Sequence, residues 1–125
     1  MLLIATEVRP SAHGLGLFTL ERIATGAMVW LWDERTEIIL PDTPDYPEAF
    51  ARFLDTYGYL AEGIGLVVNL DNARYMNHAD EPNLIERDGA NFANRDIEIG
   101  EELTCDYRVF DHGLTKGGRF LRASA

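Results

Sequence analysis

Apolar positions in this chain mostly fall in short runs broken by glycine, proline or charge, a pattern of short strands. Residues 2–8 predict a first strand, stopped by Arg9-Pro10-Ser11. Residues 17–23 predict a second strand and Thr25-Gly26 a turn. Ala27-Met28-Val29-Trp30-Leu31-Trp32 is apolar on both faces and predicts a buried third strand. Residues 36–40 give a fourth, followed by a loop through Pro41 and Pro44. The period then lengthens. Phe50, Phe53, Leu54 and Tyr57 fall at i, i+3, i+4 and i+7, so one amphipathic helix is expected from Pro47 to about Tyr57. Pro47 suits its first turn, and Gly58 ends it. Its aromatic stripe reads as core.

Alternation resumes with a hairpin of residues 59–62 and 66–70 around Gly63-Ile64-Gly65. A further hairpin pairs residues 83–87 with 91–95 around Asp88-Gly89-Ala90. Residues 102–105 form the last core strand, with Tyr107 at the end of the run. Many short strands and one helix define an α+β domain that is mostly β.

Composition narrows the class. At 125 residues and 46% hydrophobic content the chain can bury a core of its own as one domain, expected over 1–111, with a mobile or site-closing tail over 112–125. Cys105 is the only cysteine, which excludes an internal disulfide and a cysteine-cluster zinc site. No run is long enough for a membrane span, and the apolar start is too short for a signal peptide. The expected location is intracellular: cytoplasmic, or nuclear in a eukaryote. The net charge is −10. Residues 108–125 carry Arg108, Lys116, Arg119 and Arg122 against Asp111, a balance of +3 that leaves −13 on residues 1–107. Such a body repels a phosphate backbone and attracts basic peptides.

Two polar clusters carry the candidate chemistry. The first is Arg74-Tyr75-Met76-Asn77-His78-Ala79-Asp80-Glu81-Pro82-Asn83, where Pro82 marks a shaped loop. The second is Gly100-Glu101-Glu102-Leu103-Thr104-Cys105-Asp106-Tyr107. A third stretch, His13-Gly14-Leu15-Gly16, reads by itself as a turn, because no helical pattern follows it. His78 with Asp80 and Glu81 is too crowded in sequence for a metal site, so none is expected. Cys105 has no activating partner in the sequence and reads as a small buried hydrophobe.

Together these motifs resemble those of SET-domain protein-lysine methyltransferases. Arg74, Asn77, His78, Pro82 and Asn83 match the family's Asn-His motif. Gly100 to Thr104, Asp106 and Tyr107 match its Gly-Glu-Glu-Leu-Thr motif. Ala79 and Asp80 depart from the usual Ser-Cys, and no cysteine-rich segment follows Tyr107. The resemblance implies small curved sheets around a C-terminal pseudoknot. It implies methyl transfer from S-adenosyl-L-methionine to a lysine side chain of a basic protein or peptide. Gly14, Leu15, Gly16, Arg74, Asn77 and His78 would bind the cofactor, Asn77 at its amino-acid end and His78 on the adenine side through its backbone. Tyr107 would be catalytic. Tyr59 (with Tyr57 as its rival), Cys105 and Tyr107 would line the lysine channel, which Phe110, Phe120 or a partner chain would close. Cys105 stands where a Tyr or Phe is frequent, which predicts a roomier channel. Neither nucleic acid nor membrane is an expected partner, and the oligomeric state stays open, a dimer included. The alternatives are a catalytically silent domain that binds basic peptides, and methylation of a small amine.

Overall fold

A computed structural model describes residues 1–12 and 14–110. The expectations for the tail and for the Phe110 side chain lie outside the described residues. Among the described residues, four small sheets carry the fold. Strand β1 (Thr6–Ser11) pairs antiparallel with β2 (Gly14–Thr19). The first strand therefore runs through Arg9-Pro10 instead of stopping there. A two-stranded sheet consists only of edges, and an edge tolerates a proline. The apolar residues ahead of it join a different sheet: Leu2 bridges Trp30, and Leu3 N–H donates to Val29 O at 2.9 Å. Gly14 and Gly16 lie inside β2, so they form strand and not turn.

Strand β3 (Met28–Leu31) packs less deeply than its composition suggests. Val29 and Trp30 are buried, while Met28 and Leu31 are exposed. Its register against β9 (Ala90–Ala93) shifts between Met28 and Trp30. A bulge of this kind lets two successive side chains share the inner side. Strand β8 (Leu84–Arg87) completes that sheet. Its turn to β9 is shorter than expected, since Ala90 already pairs with Arg87. Asp88 and Gly89 take φ of 54° and 79°, the left-handed pair that a two-residue hairpin loop demands.

Strands β4 (Glu37–Leu40), β6 (Gly65–Asn69) and β5 (Gly58–Ala61) form the third sheet in that order. Helix α1 (Glu48–Tyr57) packs on it through Ala51 and Leu54. The aromatic stripe is only partly core: Phe50 is 38% exposed. Gly58 does close the helix, but in extended backbone at φ −84°. A side chain there would come within 2.9 Å of Leu54 O and 3.3 Å of Leu66 Cδ1, so close approach requires the glycine.

The last sheet holds the two polar motifs together. Strand β7 (Asn77–His78) runs parallel to β10 (Thr104–Cys105), pairing Asn77 with Thr104 and His78 with Cys105. On the other side Phe18 bridges Glu102, and Leu103 N–H donates to Leu17 O at 2.8 Å. Asn83 spans the same segment. Its Nδ2 donates to Glu102 O at 2.8 Å, and its Oδ1 accepts from Thr104 N–H at 2.9 Å. Residues 102–105 are thus held between β2 and the loop after β7, the expected pseudoknot. Leu17, Ile97 and Leu103, all fully buried, form the core beneath it. Tyr107 departs from expectation: it opens a short helix, α2 (Tyr107–Phe110), instead of ending a strand.

Candidate active site

Asn77 is the hub on one side of the pseudoknot. Its Nδ2 lies 3.0 Å from Leu15 O, 3.2 Å from Ser11 Oγ and 2.8 Å from Glu102 Oε2. One carboxamide therefore links the glycine strand β2, the end of β1 and the second motif. Gly16 makes this closeness feasible. A Cβ there would sit 2.5 Å from Glu102 Oε2 and 3.0 Å from Ser11 Cβ. Gly14, at φ 97°, has open space where its side chain would be.

His78 commits its ring to the protein. Tyr107 N–H donates to Nδ1 at 3.1 Å, which leaves Nε2 as the proton-bearing nitrogen opposite Asp80 Oδ1 at 2.9 Å. Asp106 lies beside it, and its carboxyl is held below the ordinary aspartate range, first by hydrogen bonds from Arg108. A groove of about 480 Å³ opens here, lined by Asn77, His78, Ala79, Asp80 and Tyr107.

Tyr107 also lines a second space. A cavity of about 310 Å³ is bordered by Tyr59, Cys105 and Tyr107, with Trp30, Trp32, Met76 and the exposed Glu62 and Glu86 among its other walls. Tyr59 is 5% exposed and Cys105 5%, so both are fixed wall groups. The Tyr107 hydroxyl donates to Met76 O at 2.6 Å, which fixes the ring between the two spaces. With its proton committed, the phenol presents its oxygen as an acceptor.

The structure gathers most of the residues that the sequence singled out. Asn77 and His78 line the groove, Leu15 and Gly16 are joined to Asn77 through its carboxamide and Glu102, and Tyr59, Cys105 and Tyr107 line the cavity. Tyr57, the rival of Tyr59, does not line the cavity. It packs against Tyr75, with ring centroids 5.2 Å apart. Arg74 lies with it: its guanidinium is 5.2 Å from the Tyr75 ring, 5.6 Å from Tyr57 and 5.7 Å from Phe53. Stacking on the half-covered stripe of α1 thus places Arg74 away from the walls of the groove. Glu102 and Ser11 were missed. Glu102 was legible only as motif backbone, and Ser11 only as a strand stop; their contact with Asn77 depends on the pseudoknot.

A SET domain model matches residues 14–108. That is most of the chain, so the chain belongs to the SET domain family. No curated protein matches it. Among solved structures it is similar to a candidate histone methyltransferase of Plasmodium falciparum, at TM-score 0.59 and 20% identity, covering 85% of this chain and 95% of that one. KRYPTONITE, solved with mCHH DNA, an H3 peptide and SAH, matches at TM-score 0.56 and 26% identity, covering 85% of this chain and 24% of that one. The Polycomb Repressive Complex 2 of Chaetomium thermophilum, bound to S-adenosylmethionine, matches at TM-score 0.62 and 24% identity, covering 91% of this chain and 16% of that one. The chain therefore spans nearly all of the first of these but less than a quarter of the other two.

Proposed function

We propose that this domain transfers a methyl group from S-adenosyl-L-methionine to the side-chain amine of a lysine in a protein. The observation that carries the reading is Tyr107, which borders both the groove beside Asn77 and His78 and the cavity beside Cys105 and Tyr59. Methyl transfer between two substrates needs such a junction, and alignment across it accounts for much of the rate. KRYPTONITE with its H3 peptide and SAH, and the Polycomb complex with its S-adenosylmethionine, support the reading.

The residues on the groove side fit the cofactor. Asp80 on its wall and Glu102 behind Asn77 carry negative charge there, which suits a ligand with an ammonium and a sulfonium. Gly14 leaves the backbone at the start of β2 open to close approach, while Gly16 makes room for the Glu102 carboxylate. Asn77 would hold the amino-acid end and the backbone of His78 the adenine side; Arg74 would act through its stack with Tyr57 and Tyr75. When bound, the cofactor supplies an electrophilic methyl group on an already activated leaving group, so no Lewis acid is required.

The chain's own residues do the rest. Glu62 and Glu86 draw a cationic side chain toward the cavity. Tyr59 and Cys105 flank it in an apolar setting, where desolvation favours the neutral amine that reacts. The Tyr107 oxygen accepts a hydrogen bond from that amine and so orients its lone pair. The experiment is calorimetry with S-adenosylmethionine, followed by methyl transfer to a panel of lysine-rich proteins mapped by mass spectrometry. Binding and a methylated lysine are expected. Absence of binding at millimolar cofactor overturns the reading, and binding without transfer leaves a silent peptide-binding domain.

A further inference from the structure

The imidazole of His78 borders the groove and also grips the residue at the junction. Its Nδ1 accepts from Tyr107 N–H at 3.1 Å, and the two rings lie with centroids 5.4 Å apart. Tyr107 opens α2, and the first N–H groups of a helix find no carbonyl inside it. Nδ1 fills that place for Tyr107. The bond belongs to one proton state only. A neutral imidazole has one donor and one acceptor nitrogen, whereas an imidazolium has two donors. A second proton, taken from solvent, therefore turns Nδ1 from acceptor into donor and sets two N–H groups against each other.

Among the described residues, Asp80, Asp106 and Arg108 are the charged groups that face this ring. Asp80 Oδ1 lies 2.9 Å from Nε2, but its side chain is 84% exposed, so water readily takes its place. Asp106 Oδ1 lies 3.6 Å from Nδ1, with its side chain only 23% exposed. Arg108 holds Asp106 through Nε and Nη2, both at 2.9 Å, and comes within 3.7 Å of Asp80. The hydrogen bonds from Arg108 keep the Asp106 carboxyl ionised below the ordinary aspartate range. Nδ1 thus has one partner for each proton state: Tyr107 N–H when bare, and the Asp106 carboxylate when protonated. Histidine is also the side chain whose charge ordinarily changes between about pH 5 and 8.

We propose that the His78 imidazole is a proton-sensitive positioning residue for Tyr107: the neutral ring fixes Tyr107 by its N–H, and protonation releases that N–H and turns Nδ1 to Asp106. This rests on the methyl-transfer reading, in which Tyr107 orients the acceptor amine. It gives a side-chain role to a residue assigned to the cofactor only through its backbone. Acid then slows transfer in two ways, by charging the acceptor lysine and by loosening Tyr107.

The first readout needs neither cofactor nor turnover. The chain has three histidines, His13, His78 and His112, so uniform nitrogen-15 labelling resolves their ring nitrogens, and His78→Asn assigns those of His78. A bare Nδ1 with through-bond coupling to the Tyr107 amide is expected at about pH 8. Lowering the pH toward about 5 should abolish that coupling in step with protonation of Nδ1. The second readout is single-turnover methyl transfer by wild type, His78→Asn and His78→Leu. Asparagine offers an oxygen near the place of Nδ1 and does not titrate, while leucine offers no acceptor. His78→Asn should transfer about tenfold faster than His78→Leu at equal cofactor affinity, the effect of one net hydrogen bond. The ratio of wild-type to His78→Asn rates should fall about tenfold between about pH 8 and pH 5, and the titration of the lysine cancels in it. A Tyr107 amide indifferent to protonation of Nδ1 overturns the proposal, as does a constant ratio or equal rates in the two folded variants. Should His78→Leu fail to fold, the ratio decides. If even wild type transfers no methyl group, the proposed reaction falls and the amide readout alone decides the coupling of His78 to Tyr107.

Discussion

The Tyr107 hydroxyl and the main-chain oxygen of Met76 are 2.6 Å apart across 31 positions of sequence. Met76 immediately precedes Asn77-His78 and is 6% exposed, so the bond ties the end of the second motif to a fixed point at the start of the first. The return bond, from Tyr107 N–H to His78 Nδ1, holds the same residue from its backbone. Tyr107 is thereby oriented before any ligand arrives.

If the cavity takes the methyl acceptor, Cys105 sets the room within it. It is buried on the cavity wall beside Tyr107 and Tyr59. Cys105→Tyr should fill part of that space and reduce the number of methyl groups added per lysine, with the first transfer retained. Mass spectrometry of the product after exhaustive reaction measures this. An unchanged product distribution in active protein shows that Cys105 does not border the methyl path.

Gly16 and Glu102 act as a pair. In Gly16→Ala the new methyl group would meet Glu102 Oε2 at 2.5 Å and displace it from Asn77 Nδ2. Overpacking of this kind costs about 1–3 kcal/mol. Cofactor affinity should fall at least about tenfold as the Asn77 carboxamide loses its anchor, an effect of about 1.4 kcal/mol. Thermal melting and calorimetry separate the two effects. Unchanged affinity in a folded variant detaches this cluster from the cofactor.

Stability should decline in acid for a locatable reason. Asp96 Oδ1 accepts from Thr25 N–H at 2.9 Å and Thr25 Oγ1–H at 2.8 Å, and these bonds hold its carboxyl below the ordinary value of 3.8. A depressed folded value means the contribution is complete above the unfolded value and is lost as pH falls through the folded one. Glu101, held down first by Arg95, and Asp106 act in the same sense. The melting temperature of the wild type should drop below about pH 4, and less steeply in Asp96→Asn. Equal slopes would show that the Thr25 contacts do not persist in solution.

Element types were largely legible in the sequence because strand and helix periods are local. The period of Phe50, Phe53, Leu54 and Tyr57 marked α1 to within a residue. Strand ends were less legible. Residues 2–3 are as apolar as any strand, but their pairing with β3 is decided across the fold, and Pro10 is tolerated because β1 is an edge strand. The site shows the same division. Asn77, His78 and Tyr107 are visible through their motifs. The choice of Tyr59 over Tyr57 follows from the helix ending between them: Tyr57 stays on α1 against Tyr75, and Tyr59 lies in β5 at the cavity. The stacking of Arg74 on Phe53 and Tyr57 and the grip of Glu102 on Asn77 are long-range contacts, and no local period encodes them.

The most direct measurement of the central claim is the single-turnover rate of methyl transfer to a protein lysine in wild type and Tyr107→Phe, with melting temperature and cofactor affinity read on the same samples. The variant keeps the ring and loses one hydroxyl. Loss of its bond to Met76 O should cost about 1 kcal/mol of stability. Loss of a hydrogen bond made at the reacting amine should cost on the order of 3 kcal/mol in the transition state, roughly a hundredfold in rate. The account predicts a folded, cofactor-binding variant slowed by at least about 10²-fold. A folded variant that transfers methyl groups at near wild-type rate contradicts it.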